Sequence, residues 1–310
     1  MAKRVVFIHG RHVMPLEEDL RGLWFDAVSH GLQRDFGEAA AQRFAATAKS
    51  FVYYGDLSNE MLGDATEIPL NTESRLASLE KLKNYGKSDF NKGNYNRLAK
   101  LGFVKEALAD TFSDALSVVR AGTPLISAVA PDMVDYWDRE GHFGREIHLR
   151  LSGVLKEAFD NDEEIMLVSH SLGTIICYDS LWHFSHNDEY RSDYGAKKKV
   201  DLFVTMGSPL GDENAKQNLR GKEGSARSRY PHNIRRWINF SAEDDYVSHD
   251  RVLNDDFHEM YREGLLEEPI VDIHPLYNLT VHDEVSVPHS ALGYLVQPEF
   301  TEVLYEWIQS

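Results

Sequence analysis

Val5-Val6-Phe7-Ile8 and Ile165-Met166-Leu167-Val168 are unbroken apolar runs that stop at small or polar residues. A strand with one wet face alternates apolar and polar side chains; a strand covered on both faces is apolar throughout. The two runs therefore predict interior strands of a parallel sheet, with turns beginning at His9-Gly10 and Ser169-His170. Further strands are predicted over Ser50–Tyr54, Val200–Met206, Arg236–Phe240 and Ile270–Tyr277. Between them, Leu20, Leu23, Trp24, Ala27, Val28 and Leu32 recur at helical spacing in Leu16–Phe36, with Glu17, Glu18 and Asp19 where a helix dipole favours acids. Ile147, Leu151, Val154, Leu155 and Ala158 mark a second amphipathic helix over Arg145–Phe159, and Pro298–Ile308 reads as the closing one. Alternating strands and helices predict an α/β chain: a mostly parallel central sheet flanked by helices.

Composition narrows the function. With 310 residues, 42% hydrophobic, the chain can bury a large core, and residues 1–310 read as a single domain. Lys plus Arg number 33 against 50 Asp plus Glu; the formal charge of −17 repels a phosphate backbone or an anionic bilayer, so no nucleic acid and no stable membrane insertion is expected. One cysteine, Cys177, excludes an intrachain disulfide and a Cys-rich metal site. Met1–Gly10 lacks the pattern of a signal peptide, and a cytoplasmic location is expected.

Residues 56–141 break the strand–helix rhythm and read as a helical insertion or cap. Lys81, Lys83, Lys87, Lys92, Arg97, Lys100 and Lys105 make it locally basic. Such a run attracts anions, but its ordinary role is a solvated surface, and that reading is preferred.

The strongest chemical signal follows the Ile165–Val168 run: Ser169-His170-Ser171-Leu172-Gly173, then a helix over Thr174–His183. A sharp strand-to-helix turn needs small residues two before and two after its central residue, and Ser169 and Gly173 fill those places. Such a turn presents the Ser171 hydroxyl as a nucleophile and sets the N–H of Leu172 beside it at a helix N-terminus, suited to an oxyanion.

VVFIHG, LVSHSLGTIICYD, DLFVTMGSPLG and PHSALGYL together resemble the successive core landmarks of the α/β-hydrolase superfamily, especially its lipase, phospholipase and bacterial serine esterase branches. Ser169 departs from the glycine common at its position but is small. The resemblance implies the order nucleophile, acid, histidine. Beyond the strand ending near Phe240 it matches Asp245 to the acid, with Asp244 and Asp250 as alternatives, and after the last strand it matches His289 to the base, with His282 and His274 nearby. It also implies a second oxyanion donor in the loop after the first strand, where Gly10 permits close approach and Arg11 supplies the N–H. The Arg11 side chain is read as facing solvent, with a hold on an anionic group as the alternative, His170 and Cys177 as packing residues, His249 as a surface residue, with a role in positioning the acidic loop or meeting substrate as the alternative, and Ser208 as a turn lining the site. Asp212–Asn233 is read as a loop that shapes the pocket.

These roles imply a serine hydrolase acting on a small-molecule carboxylic ester or thioester through a Ser171 acyl-enzyme, with a Ser171, His289, Asp245 triad and no metal or cofactor. A lipid hydrolase or acyltransferase at a membrane surface is the alternative. A non-catalytic binding or signalling protein on the same scaffold is the second.

Overall fold

The computed structural model describes residues 2–62, 67–99, 131–138, 141–282 and 284–310. Six strands form one sheet in the order β2-β1-β3-β4-β5-β6: β1 (Lys3–Ile8), β2 (Ala48–Val52), β3 (Glu164–His170), β4 (Val200–Met206), β5 (Ile234–Ala242) and β6 (Val271–Leu276). Every pairing in it is parallel. A short antiparallel hairpin, β7 (Val281–His282) and β8 (Val285–Ser286), stands apart. The expected strands are all present with ends shifted by a few residues. β5 extends by two residues at each end, and β2 is displaced as a whole, ending at Val52 because its last partner, Ile8, is where β1 stops.

Side-chain alternation explains why the strands are apolar throughout. Val6, Ile8, Ile165, Leu167, Phe203 and Trp237 enter one core. Val5, Phe7, Met166, Val168, Val204 and Phe240 enter the other. The first core is closed by α6 (Pro131–Trp137), α7 (His142–Asp160), α8 (Leu172–His186) and α9 (Leu253–Arg262). The second is closed by α1 (Glu17–Phe36), α2 (Glu38–Ala46), α4 (Glu67–Leu82), α10 (Ala291–Leu295) and α11 (Pro298–Gln309). All six apolar positions singled out in α1 are buried. In α7, Ile147, Leu151, Leu155 and Ala158 are buried, and Val154 packs at the margin. Each large side chain so buried contributes about 1.5–3 kcal/mol.

The described parts of 56–141 are largely helical: most of α3 (Gly55–Leu62), α4, α5 (Lys92–Ala99) and α6. Within the basic run, Lys83 pairs with Asp26 and Glu80, Lys87 sits over the Phe36 ring, and Lys81, Lys92 and Arg97 are exposed, as a solvated surface requires. Lys100 and Lys105 lie outside the described residues. No helix among the described residues is long and apolar enough to cross a membrane. Cys177 is buried, and burial pushes its thiol well up.

Beyond β1, His9 is fully buried and joins β1 to the chain after β2. Its Nδ1 donates to the Gly10 carbonyl at 2.7 Å, its Nε2 accepts the Tyr54 N–H at 3.0 Å, and the Tyr54 hydroxyl donates to the His9 carbonyl at 2.8 Å. Only the neutral Nδ1–H tautomer satisfies this set. Desolvation pushes the imidazole down to about 3 from its ordinary 6.5. The unfolded chain therefore takes up a proton at a pH where the folded chain does not: the contribution is complete above 6.5 and is lost as pH falls from 6.5 towards 3. Unfolding in urea should show a loss of about 2 kcal/mol from this residue between pH 8 and pH 5. In His9→Gln the fall over that interval should be smaller by that amount, and an identical fall would remove His9 as the proton acceptor.

Candidate active site

The C-terminal ends of β1, β3, β4 and β5 are in step, because Ile8 pairs with Ser169, His170 with Met206, and Met206 with Phe240. Their terminal turns therefore converge on one place, outside the carboxyl end of a parallel sheet, where such folds commonly place ligands.

Ser171 occupies the turn between β3 and α8 with φ 54° and ψ −129°, a region unfavourable to a side chain and worth about 1–3 kcal/mol of strain. The turn is held from both directions. The Ser171 N–H donates to the Met206 carbonyl at 3.0 Å, while the Ser171 carbonyl accepts the Thr174 N–H at 2.9 Å and the Thr174 hydroxyl at 2.7 Å. Close approach explains the glycines: a Cβ on Gly173 would lie 2.5 Å from the His9 carbonyl oxygen, and one on Gly10 would lie 2.7 Å from Ser171 Cβ. Ser169 is tolerated because its hydroxyl donates to the Val204 carbonyl at 2.9 Å inside the sheet. The Leu172 N–H lies in the first turn of α8, where a helix offers it no acceptor.

The structure brings the three widely separated residues together. Ser171 Oγ is 2.9 Å from His289 Nε2, and His289 Nδ1 is 3.0 Å from both carboxylate oxygens of Asp245. The carboxylate accepts Nδ1–H, which leaves Nε2 to accept the serine proton. Asp245 is buried; its Oδ1 takes the Val247 N–H at 3.0 Å and its Oδ2 the Tyr294 hydroxyl at 2.6 Å. Burial alone pushes this carboxyl up, but the His289 charge and the hydrogen bonds from His289 and Tyr294 outweigh it and hold it down at about 2. Asp244 turns away to accept the Tyr95 hydroxyl, and Asp250 packs beside Gly211. His274 is exposed on β6, and His249 is exposed, with Nε2 3.6 Å from Asp212.

A cavity of about 290 Å³ opens on this group, lined by Gly10, Arg11, Ser171, His282 and His289 among others. Here several expectations are corrected. The Arg11 side chain is buried against the cavity, not turned to solvent, because the loop after β1 forms one wall of the cavity with residues 10–14 while Asn71, Ser74 and Arg75 of α4 also line it. Residues 212–233 do not line this cavity; the Arg220 N–H donates to Asp179 and the Ser228 carbonyl accepts from Trp182, so the segment packs along α8. Ser208 does not line it either; its hydroxyl accepts the Leu210 N–H and meets Thr174 Oγ1 at 2.9 Å, so it fastens its own turn to α8.

His170 is more than a packing residue. Its Nε2 donates to the His289 carbonyl at 2.9 Å, with the two rings 4.6 Å apart. Desolvation and the neighbouring His289 hold it neutral, so it positions His289 without placing a second cation there. Asn278 clamps the other side: its amide donates to the carbonyls of Pro288 and Ser290, which flank His289, and its oxygen accepts from the Thr280 N–H and hydroxyl. A Cβ on Gly293 would collide with that oxygen. Gly207, at φ 53°, leaves room where a Cβ would lie 2.8 Å from Asp245 Oδ2 and 3.0 Å from His289 Nδ1. Sequence spacing carried no signal for His170 or Asn278, since a buried polar residue and a surface one look alike until the partners are known.

A contrasting pair shows what the arrangement needs. Ser180 Oγ lies 2.6 Å from His148 Nδ1, but Ser180 is buried within α8, without the positive-φ turn that Ser171 occupies. Comparison with family models, with curated proteins and with solved structures gives no match.

Tyr294 donates to Asp245 and accepts the Ala242 N–H at 2.9 Å. Tyr294→Phe leaves a buried carboxylate oxygen and a backbone N–H without that hydroxyl, and should cost about 2–3 kcal/mol. An unchanged urea midpoint would show that these bonds add nothing to stability.

Proposed function

We propose that the chain is a serine hydrolase of α/β-hydrolase type, cleaving carboxylic esters or thioesters of small molecules. The observation that carries this reading is the continuous chain from Ser171 Oγ through His289 to buried Asp245, opening on a cavity. Ser171 Oγ attacks the acyl carbon as His289 Nε2 takes its proton, and Asp245 holds the imidazole's tautomer and stabilises the imidazolium. The oxyanion is met by the N–H groups of Leu172 and Arg11. Collapse breaks the bond to the leaving alcohol or thiol, which takes the proton from His289. His289 then deprotonates water, which attacks the acyl-enzyme and releases the acid and Ser171.

A cavity of about 290 Å³ lies at the small end for organic ligands and favours short acyl groups over long lipid chains. Arg11, Asn71 and Ser74 set polar groups among apolar lining residues such as Met14, Trp24, Val247 and Leu292, a mixture that suits a small ester with a polar substituent.

Hydrolysis of p-nitrophenyl esters of increasing chain length should peak at short acyl groups. Ser171→Ala should lower kcat by ~10⁴-fold or more and Asp245→Asn by about 10⁴-fold, both with retained folding. A fluorophosphonate should label Ser171 and not the Ala variant. No turnover together with no labelling would replace this reading with a binding role for the scaffold.

A further inference from the structure

The cavity above Ser171 is lined by a cation, Arg75, that has no carboxylate partner among the described residues. Other partly buried cations give their donors to strong acceptors: Arg4 pairs with Glu163, Arg34 with Asp35, Lys216 with Asp256 and Arg251 with Glu243, while Lys49 and Lys199 donate to backbone carbonyls. Arg75, on α4, lines the same cavity as Ser171 and His289 and is not fully exposed. Its Nε donates to Asn71 Oδ1 at 2.5 Å, one turn earlier on its own helix, and a terminal nitrogen faces Met14 Sδ at 3.8 Å. No carboxylate among the described residues forms an ion pair with it. Glu67, the one acid among the described residues that line the cavity, is exposed and forms no ion pair with it.

A guanidinium withdrawn from water is costly unless a counter-charge arrives. It carries five donors in a planar fork that matches carboxylate and phosphate oxygens, and the contacts above use few of them. Desolvation pushes Arg75 down to about 10, so it remains a cation at neutral pH, and its positive charge reaches His9 and His170, which flank the Gly10 and Ser171 positions. An acyl group held at Ser171 therefore lies in the field of this charge.

We propose that Arg75 binds an anionic group, carboxylate or phosphate, on the substrate whose acyl carbon Ser171 attacks. The inference rests on the hydrolase reading above and narrows it to anionic esters. Arg75 is a binding and specificity residue: it takes no part in the proton transfers.

The test compares kcat/KM for matched anionic and neutral esters in the intact protein, followed by pH-stat. The monoethyl esters of glutarate and adipate, against ethyl valerate and ethyl caproate, carry the charge on the acyl side. The acetyl esters of lactate and of glycol phosphate, against ethyl acetate, carry it on the alcohol side and separate carboxylate from phosphate. At least one anionic ester should be favoured about tenfold or more, as a charge-assisted hydrogen bond implies. Arg75→Gln should lower that anionic-to-neutral ratio about tenfold, mainly through KM, and Arg75→Lys should keep part of it, with circular dichroism reporting that both fold. Equal turnover of neutral and anionic esters, or a ratio unmoved in Arg75→Gln, overturns the proposal and leaves the hydrolase reading intact. If no ester is cleaved but a fluorophosphonate labels Ser171, glutarate and inorganic phosphate decide: protection lost in Arg75→Gln supports the proposal and no protection refutes it. Absence of both turnover and labelling defeats the hydrolase reading, and this one with it.

Discussion

The hydrogen bond from the Ser171 N–H to the Met206 carbonyl ties a strained turn to the end of the neighbouring strand, and the rest of the site is built outward from it. A residue held at φ 54° persists only where its surroundings over-determine it. Here the restraint comes from the β3–β4 ladder on one side and the first turn of α8 on the other. The turn then admits only glycine at the two points where other backbone crosses it, Gly10 and Gly173. Parallel strands in register bring the following turns, at Gly207 and at Asp245, to the same height.

Around that turn the polar groups form a closed network. Tyr294 joins Asp245 to the end of β5, His170 joins the strand before Ser171 to the carbonyl of His289, and Asn278 holds the carbonyls on both sides of His289. A carboxylate and an imidazole can be buried together because these neighbours satisfy them; removal from water would otherwise favour their neutral forms. The same rule makes Arg75 stand out, since it lines the cavity and pairs with no carboxylate among the described residues. In a low-dielectric pocket, such a charge selects its ligand by sign before shape matters.

Much of this was legible in the chain. Apolar runs such as Val5–Ile8 announced strands covered on both faces, because period-two alternation disappears when both faces are buried. Ser171 was legible because the turn that exposes it imposes small residues at fixed offsets. His289 and Asp245 were placed by resemblance to a known order, and the structure separates Asp245 from Asp244 by burial and hydrogen bonding. Arg75 went unnoticed beside a basic run whose described lysines are exposed or paired, since a charge count is blind to where each charge is carried.

The sequence by itself determined the α/β order of elements, the doubly covered sheet and the strained serine turn, all consequences of spacing between near neighbours. Only the tertiary structure decided which histidine meets which carboxylate, that Arg11 faces the cavity, and that His170 and Asn278 brace His289. Those contacts join residues from 10 to 119 positions apart and fix side chains whose types suit surface and interior equally. Their energy depends on which partner the fold brings within hydrogen-bonding reach, a quantity that exists only once strand order and register are set.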